Sequence, residues 1–379
     1  MRILFICTGK HNDLGNWSGT VSSLYQTIRK ISPSVEVVED FKPLKIIKLI
    51  YLLLNKLSSK RYLIDRNRFV LKVYSSKIKR TIKQKKYDVI FSTSSLPVTY
   101  LKTDIPIVFY TDATFKNMVN YYEEFTNLSS YTLREGDYLE KLSLNNSALA
   151  IYSSEWAKNS AINDYGCSKE NVKVLNFGLN IQNKLNSDDI HENLKSKIND
   201  KEIKLFFMGV DFKRKGGYLA LDIVKYINSK GYKAKLYIAG SEPLIDDEYK
   251  KYTEVIGFLN KAIKEDQIII DKMYKQSHFF LLPTKSEAYG IVFAEASSYG
   301  LPSITTNTGG VPSVVKNTKN GYCLDVSASP KEFGDIIISN FINKKEYLKL
   351  SMNTYKEYQD KLNWDYVESK INNYIESLI

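Results

Sequence analysis

Residues 280–296 read FLLPTKSEAYGIVFAEA, and this stretch predicts a buried strand, a loop and the start of a helix in immediate succession. The apolar run ends at Leu282, the loop carries Glu287 and Gly290, and the helix carries Glu295. Glycine lets the backbone approach a ligand closely, and the first N–H groups of a helix attract anions. The pattern therefore predicts a junction that binds a diphosphate, with one carboxylate at each end of the ligand.

Short apolar runs separated by helical patterns flank this stretch on both sides and form two series. They are Arg2–Cys7, Val35–Glu39, Val89–Phe91, Ile107–Tyr110, Ala148–Ser153 and Val172–Leu175, then Lys204–Met208, Lys235–Ala239, Phe279–Leu282 and Ser303–Thr305. Apolar runs of this length between helices are typical of parallel sheets that are buried on both faces. The sequence therefore predicts an α/β protein with two doubly wound, Rossmann-like domains.

The boundary between the two series lies at a turn, residues 176–180, which is followed by a polar and charged stretch up to residue 201. We therefore predict a first domain over residues 1–180 and a second over 181–355. The chain then becomes helical to its end, and we expect this last segment, 356–379, to pack back on the first domain.

Composition excludes several classes of protein. The 379 residues are 43% hydrophobic and 25% charged, which is typical of folded domains. Three scattered cysteines and three scattered histidines predict neither a disulfide framework nor a metal centre. No apolar stretch is long enough to span a membrane, and the first apolar run is too short for a signal peptide. These features favour a cytoplasmic protein.

The positive charge is concentrated in residues 42–86, which hold fifteen lysines and arginines and one acid, Asp65. Within this segment, lysines are spaced along the apolar pattern of residues 44–57. One interpretation is an ordinary helix with a solvated lysine face. The other, which we favour, is peripheral docking on an anionic membrane surface, where each basic residue contributes about 1 kcal/mol. No nucleic-acid recognition motif accompanies the charge, so we expect no nucleic-acid partner.

The pattern P-T-x-x-E-x-x-G, with a second glutamate in E-A-x-x-x-G-x-P, resembles the donor-site motif of glycosyltransferase family four. Members of that family are retaining enzymes of the GT-B fold, in which two Rossmann-like domains face an interdomain cleft. The resemblance implies that Glu287 contacts the donor sugar and that Glu295 holds the ribose hydroxyls. It also implies that backbone N–H groups near Gly290, Ile291 and Val292 hold the diphosphate.

The loop after the strand predicted at 204–208 resembles the same family. It begins at Gly209 and carries three consecutive cations, Lys213, Arg214 and Lys215. Cations are useful here because negative charge develops on the leaving phosphate. Lys215 matches the family's Lys-Gly position. The family often has an arginine directly after the glycine, where this chain has Val210, and Arg214 is expected to supply that charge instead.

Three further segments resemble the family more weakly. Gly15 and Gly19 match a glycine loop that faces the donor phosphates, and Phe258 and Leu259 match the pocket for the base. Many relatives place a histidine near the sugar where this chain has Asp112. Asp112 then either accepts a hydrogen bond from a sugar hydroxyl or caps a helix, and the sequence leaves both roles open.

The function implied is that of a hexosyltransferase, which moves a sugar from a nucleoside diphosphate sugar to a hydroxyl acceptor with retention and without a metal. The acceptor is expected to be a glycan or a lipid-linked saccharide in cell-surface polysaccharide synthesis. Two alternatives stay open. A nucleotide-sugar 2-epimerase of the same fold would act on the donor alone, and a non-catalytic sugar-binding remnant would have a broken donor site.

Overall fold

A computed structural model describes residues 1–183 and 185–379. The chain divides into two compact units. The first comprises Met1–Asn176 together with Trp364–Ile379, and the second comprises Phe177–Asn363.

The first unit is built on a six-stranded sheet in which every strand pairing is parallel. Its strands lie in the order β2-β1-β3-β4-β5-β6. They are β1 (Arg2–Ile6), β2 (Ser34–Val38), β3 (Val89–Ser92), β4 (Ile107–Thr111), β5 (Leu149–Tyr152) and β6 (Val172–Val174). The helices are α1 (Thr20–Ile31), α2 (Lys45–Leu57), α3 (Arg68–Gln84), α4 (Phe115–Met118), α5 (Ser130–Asn146) and α6 (Glu155–Asn163). Strands β3 and β5 are fully buried because helices cover both faces of the sheet.

The second unit repeats the plan, again with parallel pairings and six strands, in the order β12-β11-β10-β7-β8-β9. The strands are β7 (Glu202–Met208), β8 (Lys233–Ala239), β9 (Thr253–Gly257), β10 (Phe279–Leu282), β11 (Ser303–Thr306) and β12 (Gly321–Leu324). The helices are α7 (Ser187–Lys197), α8 (Gly217–Ser229), α9 (Asp247–Lys250), α10 (Lys264–Gln276), α11 (Ile291–Ser297), α12 (Val311–Val314), α13 (Pro330–Ile342) and α14 (Lys344–Lys361).

The last helix, α15 (Trp364–Glu376), belongs to the first unit, where it packs against α1. Val367, Ile371 and Ile375 recur at every fourth residue and are fully buried. At the edge of this contact, the Lys30 Nζ donates to the Asp365 carboxylate at 2.9 Å. The chain thus returns to its first unit through one amphipathic helix face.

The predicted fold class, α/β with two doubly wound sheets, is confirmed. Two strands at opposite edges of the second sheet, β9 and β12, were not predicted. Strand β9 has no buried residue, and β12 is mostly half-buried and begins with glycine, so neither shows the continuous apolar run that marks a buried strand.

A buried polar cluster joins α7 to β7 and β10 in the second unit. The ring of His278 is 1% exposed, its Nδ1 accepts from the Lys204 backbone N–H at 3.0 Å, and its Nε2 lies 3.2 Å from the Lys197 carbonyl. The Lys197 Nζ donates to the carbonyls of Lys275 and Ser277. Burial, together with the nearby Lys197 charge, lowers the pKa of His278 to about 4.

This cluster predicts loss of stability in acid. An unfolded His278 binds a proton as the pH falls through 6.5, whereas the folded one stays neutral down to about pH 4. The neutral His278 ring therefore contributes on the order of 3 kcal/mol to the free energy of unfolding above pH 6.5, and this contribution is lost between pH 6.5 and 4. His278→Asn, which can keep an acceptor for Lys204, should flatten the free energy of unfolding over this range in urea titrations. The exposed His191→Asn is the control, and equal pH slopes in the two variants would contradict the assignment.

Candidate functional site

The carboxyl ends of β7 and β10 form the place where the strand order of the second sheet reverses. The chain runs outward from β7 through β8 and β9 on one side, and from β10 through β11 and β12 on the other. In doubly wound sheets, ligands bind in the crevice outside the strands at this point. Two loops meet there, residues 209–216 and 283–290. The Lys285 N–H donates to the Arg214 carbonyl at 2.8 Å and ties one loop to the other.

The Glu287 carboxylate forms the centre of this junction. Lys215 pairs with its Oε2 atom, and the Arg214 Nη1 lies 3.7 Å from the same oxygen. The side chains of Lys215 and Glu287 are each 13% exposed. Arg214 also donates to the Ser286 carbonyl at 2.8 Å and pairs with Asp211 at 3.3 Å. The structure thus brings the three predicted charged residues together, with Arg214 bracing the two loops as well.

Two glycines allow the two loops to lie close enough for Lys215 to reach Glu287. Gly216 has a φ of +79°, and a Cβ there would lie 1.8 Å from the Pro283 carbonyl oxygen. At Gly209, a Cβ would lie 2.9 Å from the Cγ of Lys215. A side chain at either position would displace Lys215 from Glu287. Gly209 thus leaves room for the Lys215 side chain, and its place in the donor-binding loop stays a prediction.

Gly290 separates the Glu287 loop from α11. It has a φ of +86°, and a Cβ there would lie 2.5 Å from the Phe293 ring. No side chain caps the start of α11, and the first two residues of the helix, Ile291 and Val292, are half-buried. The Gly310 N–H donates to the Glu287 carbonyl at 3.0 Å and fixes the loop from its other side.

Glu295 is fully buried within α11 and is held by two side chains that the sequence did not single out. Lys261, in the loop after β9, pairs with its Oε1 atom. The Tyr274 hydroxyl donates to Oε2 at 3.2 Å. Burial raises the pKa of Tyr274, so the phenol stays a hydrogen-bond donor. The carboxylate needs both partners, because a buried unpaired charge is costly.

Phe258 and Leu259, which were predicted to line the base pocket, follow directly on β9. The Phe258 side chain is 60% exposed and Leu259 is buried. Gly257 turns the chain here with a φ of +95°. The same loop continues to Lys261, so it connects these two residues to the partner of Glu295.

The remaining predicted residues lie in the first unit. Gly19 is buried, has a φ of +88° and directly precedes α1. The Trp17 Nε1 donates to the Asp112 Oδ2 at 3.1 Å, which links the glycine loop to the end of β4. The helix cap that was considered for Asp112 belongs instead to Thr114, whose side chain accepts from the Asn117 N–H at the start of α4. Of the two roles left open by the sequence, the cap of α4 is therefore excluded, and the contact of Asp112 with a sugar hydroxyl stays a prediction.

Sequence reasoning missed Lys261 and Tyr274. Lys261 lies in a polar loop without a motif, and Tyr274 follows the apolar spacing of a core helix, as Ile270 does. Neither position carries a signal that distinguishes it from a solvated lysine or a core aromatic. Among the described residues, no group of three or more histidine, cysteine, aspartate or glutamate side chains is arranged to hold a metal ion.

At the carboxyl ends of β7 and β10, two cations lie beside the Glu287 carboxylate. Helix α11 begins there without a side-chain cap, and the second carboxylate, Glu295, lies about one turn into the helix. Cations and helix N–H groups stabilise phosphate oxygens, and carboxylates accept hydrogen bonds from hydroxyl groups. The arrangement is therefore suited to a ligand that has hydroxyl groups at both ends and phosphates between them.

Comparison with known proteins agrees with this chemistry. Residues 188–357 match the family described as Glycosyl transferases group 1. No curated protein matches the chain by sequence. Among solved structures, HepE from Anabaena in complex with UDP is 15% identical and has a TM-score of 0.66, with both chains covered completely.

Two other solved structures are similar. Sucrose-phosphate synthase from Thermosynechococcus elongatus is 13% identical with a TM-score of 0.67, and the match covers 100% of this chain and 99% of that one. The lipopolysaccharide outer core galactosyltransferase WaaB, in its apo form, is 14% identical with a TM-score of 0.67 over both full chains. At these identities the likeness establishes the fold, which is GT-B.

The tight contact at Gly216 gives a stability prediction. Gly216→Ala adds a Cβ that overlaps the Pro283 carbonyl, whereas Gly231→Ala, at a φ of +84°, has no atom within 4 Å of its new Cβ. Gly231→Ala should lower the free energy of unfolding by about 1–2 kcal/mol, which is the penalty of a left-handed backbone alone. Gly216→Ala should cost at least about 2 kcal/mol more, because the two loops must separate. Urea denaturation of both variants measures the difference. Equal losses of unfolding free energy would show that the two loops do not depend on the close contact between Gly216 and the Pro283 carbonyl.

Proposed function

We propose that this chain, whose residues 188–357 match the family described as Glycosyl transferases group 1, is a nucleotide-sugar glycosyltransferase that transfers a hexose-type residue to a hydroxyl acceptor with retention of configuration. The observation that carries the proposal is the cluster of Lys215, Arg214 and Glu287 at the reversal point of the second sheet. Without a donor, the cations and the carboxylate neutralise one another. With a donor, Lys215 binds the diphosphate and Glu287 accepts from a sugar hydroxyl.

In this reaction the bond between the anomeric carbon and the phosphate oxygen breaks, and a bond to the acceptor oxygen forms on the same face of the sugar. The departing diphosphate takes up the acceptor proton. Lys215 and Arg214 stabilise the charge that develops on the diphosphate, together with the N–H groups at Gly290, Ile291 and Val292. Fixed cations are effective here because they need no reorganisation as the charge appears.

The two cations also support a reaction without a metal ion, since they occupy the place where a divalent cation would otherwise neutralise the phosphates. Glu295 holds the ribose hydroxyls, with Phe258 and Leu259 beside the base. UDP-glucose is the first donor to test, because it is bound in a solved HepE structure. In the first unit, the loop with Gly19 is proposed to face the donor phosphates, and Asp112 is proposed to accept from a hydroxyl of the donor or the acceptor.

We further propose that α2 docks the enzyme on an anionic membrane, where it meets a lipid-linked acceptor. Tyr51 is the one buried residue of this helix, and its hydroxyl accepts from Asn67 at 3.0 Å. The remaining faces are exposed and apolar; Ile46 is 63% and Leu57 83% exposed. The exposed aliphatic residues are Ile46, Leu49, Ile50, Leu52, Leu53 and Leu57.

Lysines 45, 48 and 56 lie among these aliphatic side chains and are also exposed. Apolar residues that enter the lipid boundary, flanked by lysines at the headgroups, are typical of helices that lie in a membrane surface. No helix among residues 1–183 and 185–379 is long and apolar enough to cross a membrane. A protein partner of acidic character is the competing occupant, and vesicle binding distinguishes the two.

Glu287→Ala should reduce transfer from UDP-glucose at least about 100-fold in an assay containing EDTA, because a transition-state contact is lost. The affinity for UDP should stay within about threefold, since the sugar contact is absent in UDP. Radiolabelled transfer and calorimetric titration with UDP measure the two quantities.

Glu295→Gln is the contrasting variant. It should weaken UDP binding about tenfold, because a charge-assisted hydrogen bond to ribose is lost. Thermal unfolding of both variants checks that the fold is retained. Loss of UDP affinity in Glu287→Ala with an unchanged transfer rate at saturation would overturn the assigned roles.

Vesicle flotation tests the docking surface. We expect binding to vesicles of phosphatidylglycerol and phosphatidylcholine, little binding to phosphatidylcholine alone, and release by 0.5 M salt. Replacing Lys45, Lys48 and Lys56 with glutamine should weaken binding about 100-fold. The same change at Lys272, Lys345 and Lys356, three exposed lysines of the second unit, is the matched control. Vesicle binding that is undiminished in the α2 variant, or that 0.5 M salt does not weaken, would refute docking through α2.

A further inference from the structure

A cavity of about 420 Å³ lies beside β12, at the edge of the second sheet. Three parts of the chain line it. The loop before β12 contributes Thr318, and the strand itself contributes Tyr322. The last turn of α13 contributes Ser339 and Asn340, and α14 together with its capping residue Asn343 contributes Asn353 among others. Its volume falls in the range of pockets that bind small molecules.

The cavity is separate from the donor site. Thr318 precedes β12 and Tyr322 is its second residue, so the cavity lies at the amino end of this strand. Lys215 and Glu287 follow the carboxyl ends of β7 and β10. Because these strands of the sheet are parallel, the cavity lies at the amino ends of the strands and the donor site lies at their carboxyl ends. They are separated by at least one strand length, about 13 Å for four residues.

The helix face on the cavity is polar. Asn343, Glu346, Leu350 and Asn353 follow the spacing of a single helical face, and all four line the cavity. Asn343 and Glu346 are exposed and Asn353 is half-buried, so the cavity is open to solvent on this side. The fully buried Tyr347 lies on the side of α14 that packs on the core.

The polar groups are held in place before any ligand arrives. Asn340 is 8% exposed, its amide donates to the Ile336 carbonyl at 2.8 Å, and its Oδ1 accepts from the Tyr322 hydroxyl at 3.3 Å. Thr318 has a φ of +62°, a conformation that is costly for a β-branched residue. Its backbone N–H donates to the Gly321 carbonyl at 2.9 Å, which holds the strained turn at the rim. Strain of this kind is common at ligand clamps.

The lining selects the class of ligand. Side-chain amides and hydroxyls provide both donors and acceptors, which suits a compound with many hydroxyl groups. Lys349 is the one cation among the lining residues, and Glu346 offsets its charge, so a phosphate finds no net attraction. A single carboxylate does not make a metal site. Leu350 is the one aliphatic lining residue, which is too little for a lipid or an apolar peptide.

We infer that this cavity binds a neutral saccharide and serves as a second glycan site, away from the site of transfer. The Tyr322 ring offers an apolar face to a sugar, and the asparagine side chains pair with its hydroxyls. The identity of the saccharide rests on the proposed function, in which it would be a part of the acceptor distant from the transfer site. Binding itself requires neither donor nor transfer.

Saturation-transfer NMR and calorimetric titration with maltohexaose, cellohexaose and chitohexaose test the inference, without nucleotide present. We expect saturable binding of at least one of the three. Ser339→Trp places a large side chain in the mouth of the cavity and should weaken that binding at least tenfold. Asn353→Leu, which replaces the amide with an apolar group of the same branched shape, should also weaken it.

Ser229→Trp is the matched control. Ser229 and Ser339 are both exposed, lie in the last turns of their helices and donate to the carbonyl three residues earlier. The control should bind the hexasaccharide as the natural chain does, and UDP binding should be equal in all variants. No hexasaccharide binding, or binding that Ser339→Trp and Asn353→Leu leave unchanged, would overturn the inference. Saccharide binding without UDP binding would instead leave the cavity assigned and reject the proposed donor site.

Discussion

The ion pair of Lys215 with Glu287 is the contact on which the site depends. It joins the loops that follow β7 and β10, the two strands where the order of the second sheet reverses. The pair forms only because Gly216 lets one loop lie against the carbonyl of Pro283. Charge and close packing thus reinforce each other, and the cations that are proposed to bind the diphosphate are held in fixed positions.

Glu295 shows a different solution to placing a carboxylate in a site. It is fully buried, and its charge is balanced by Lys261 and by the hydroxyl of Tyr274. In the proposed function, a ribose would compete with Lys261 for this carboxylate, so nucleotide binding would rearrange the loop after β9. The same loop carries Phe258 and Leu259, so the residues proposed to lie beside the base are on the segment that holds Lys261.

The surfaces outside the transfer site differ in chemistry. Helix α2 is apolar and basic and is held by its one buried residue, Tyr51, which suits a lipid surface. The cavity beside β12 is neutral and rich in amides, which suits a saccharide. In the proposed function the two surfaces serve one acceptor, because a lipid-linked glycan has an apolar anchor at one end and sugars at the other.

The sequence by itself determined the fold class and most of the strands, because buried parallel strands are continuous apolar runs. It also singled out Glu287, Glu295 and Lys215, since their spacing around glycines is a local pattern. Only the tertiary structure decided that Lys261 and Tyr274 hold Glu295, and that Thr114, in place of Asp112, caps α4. The cavity beside β12 also emerged only there. Such partners are brought together by packing between distant segments, and packing leaves no periodic signal in the sequence.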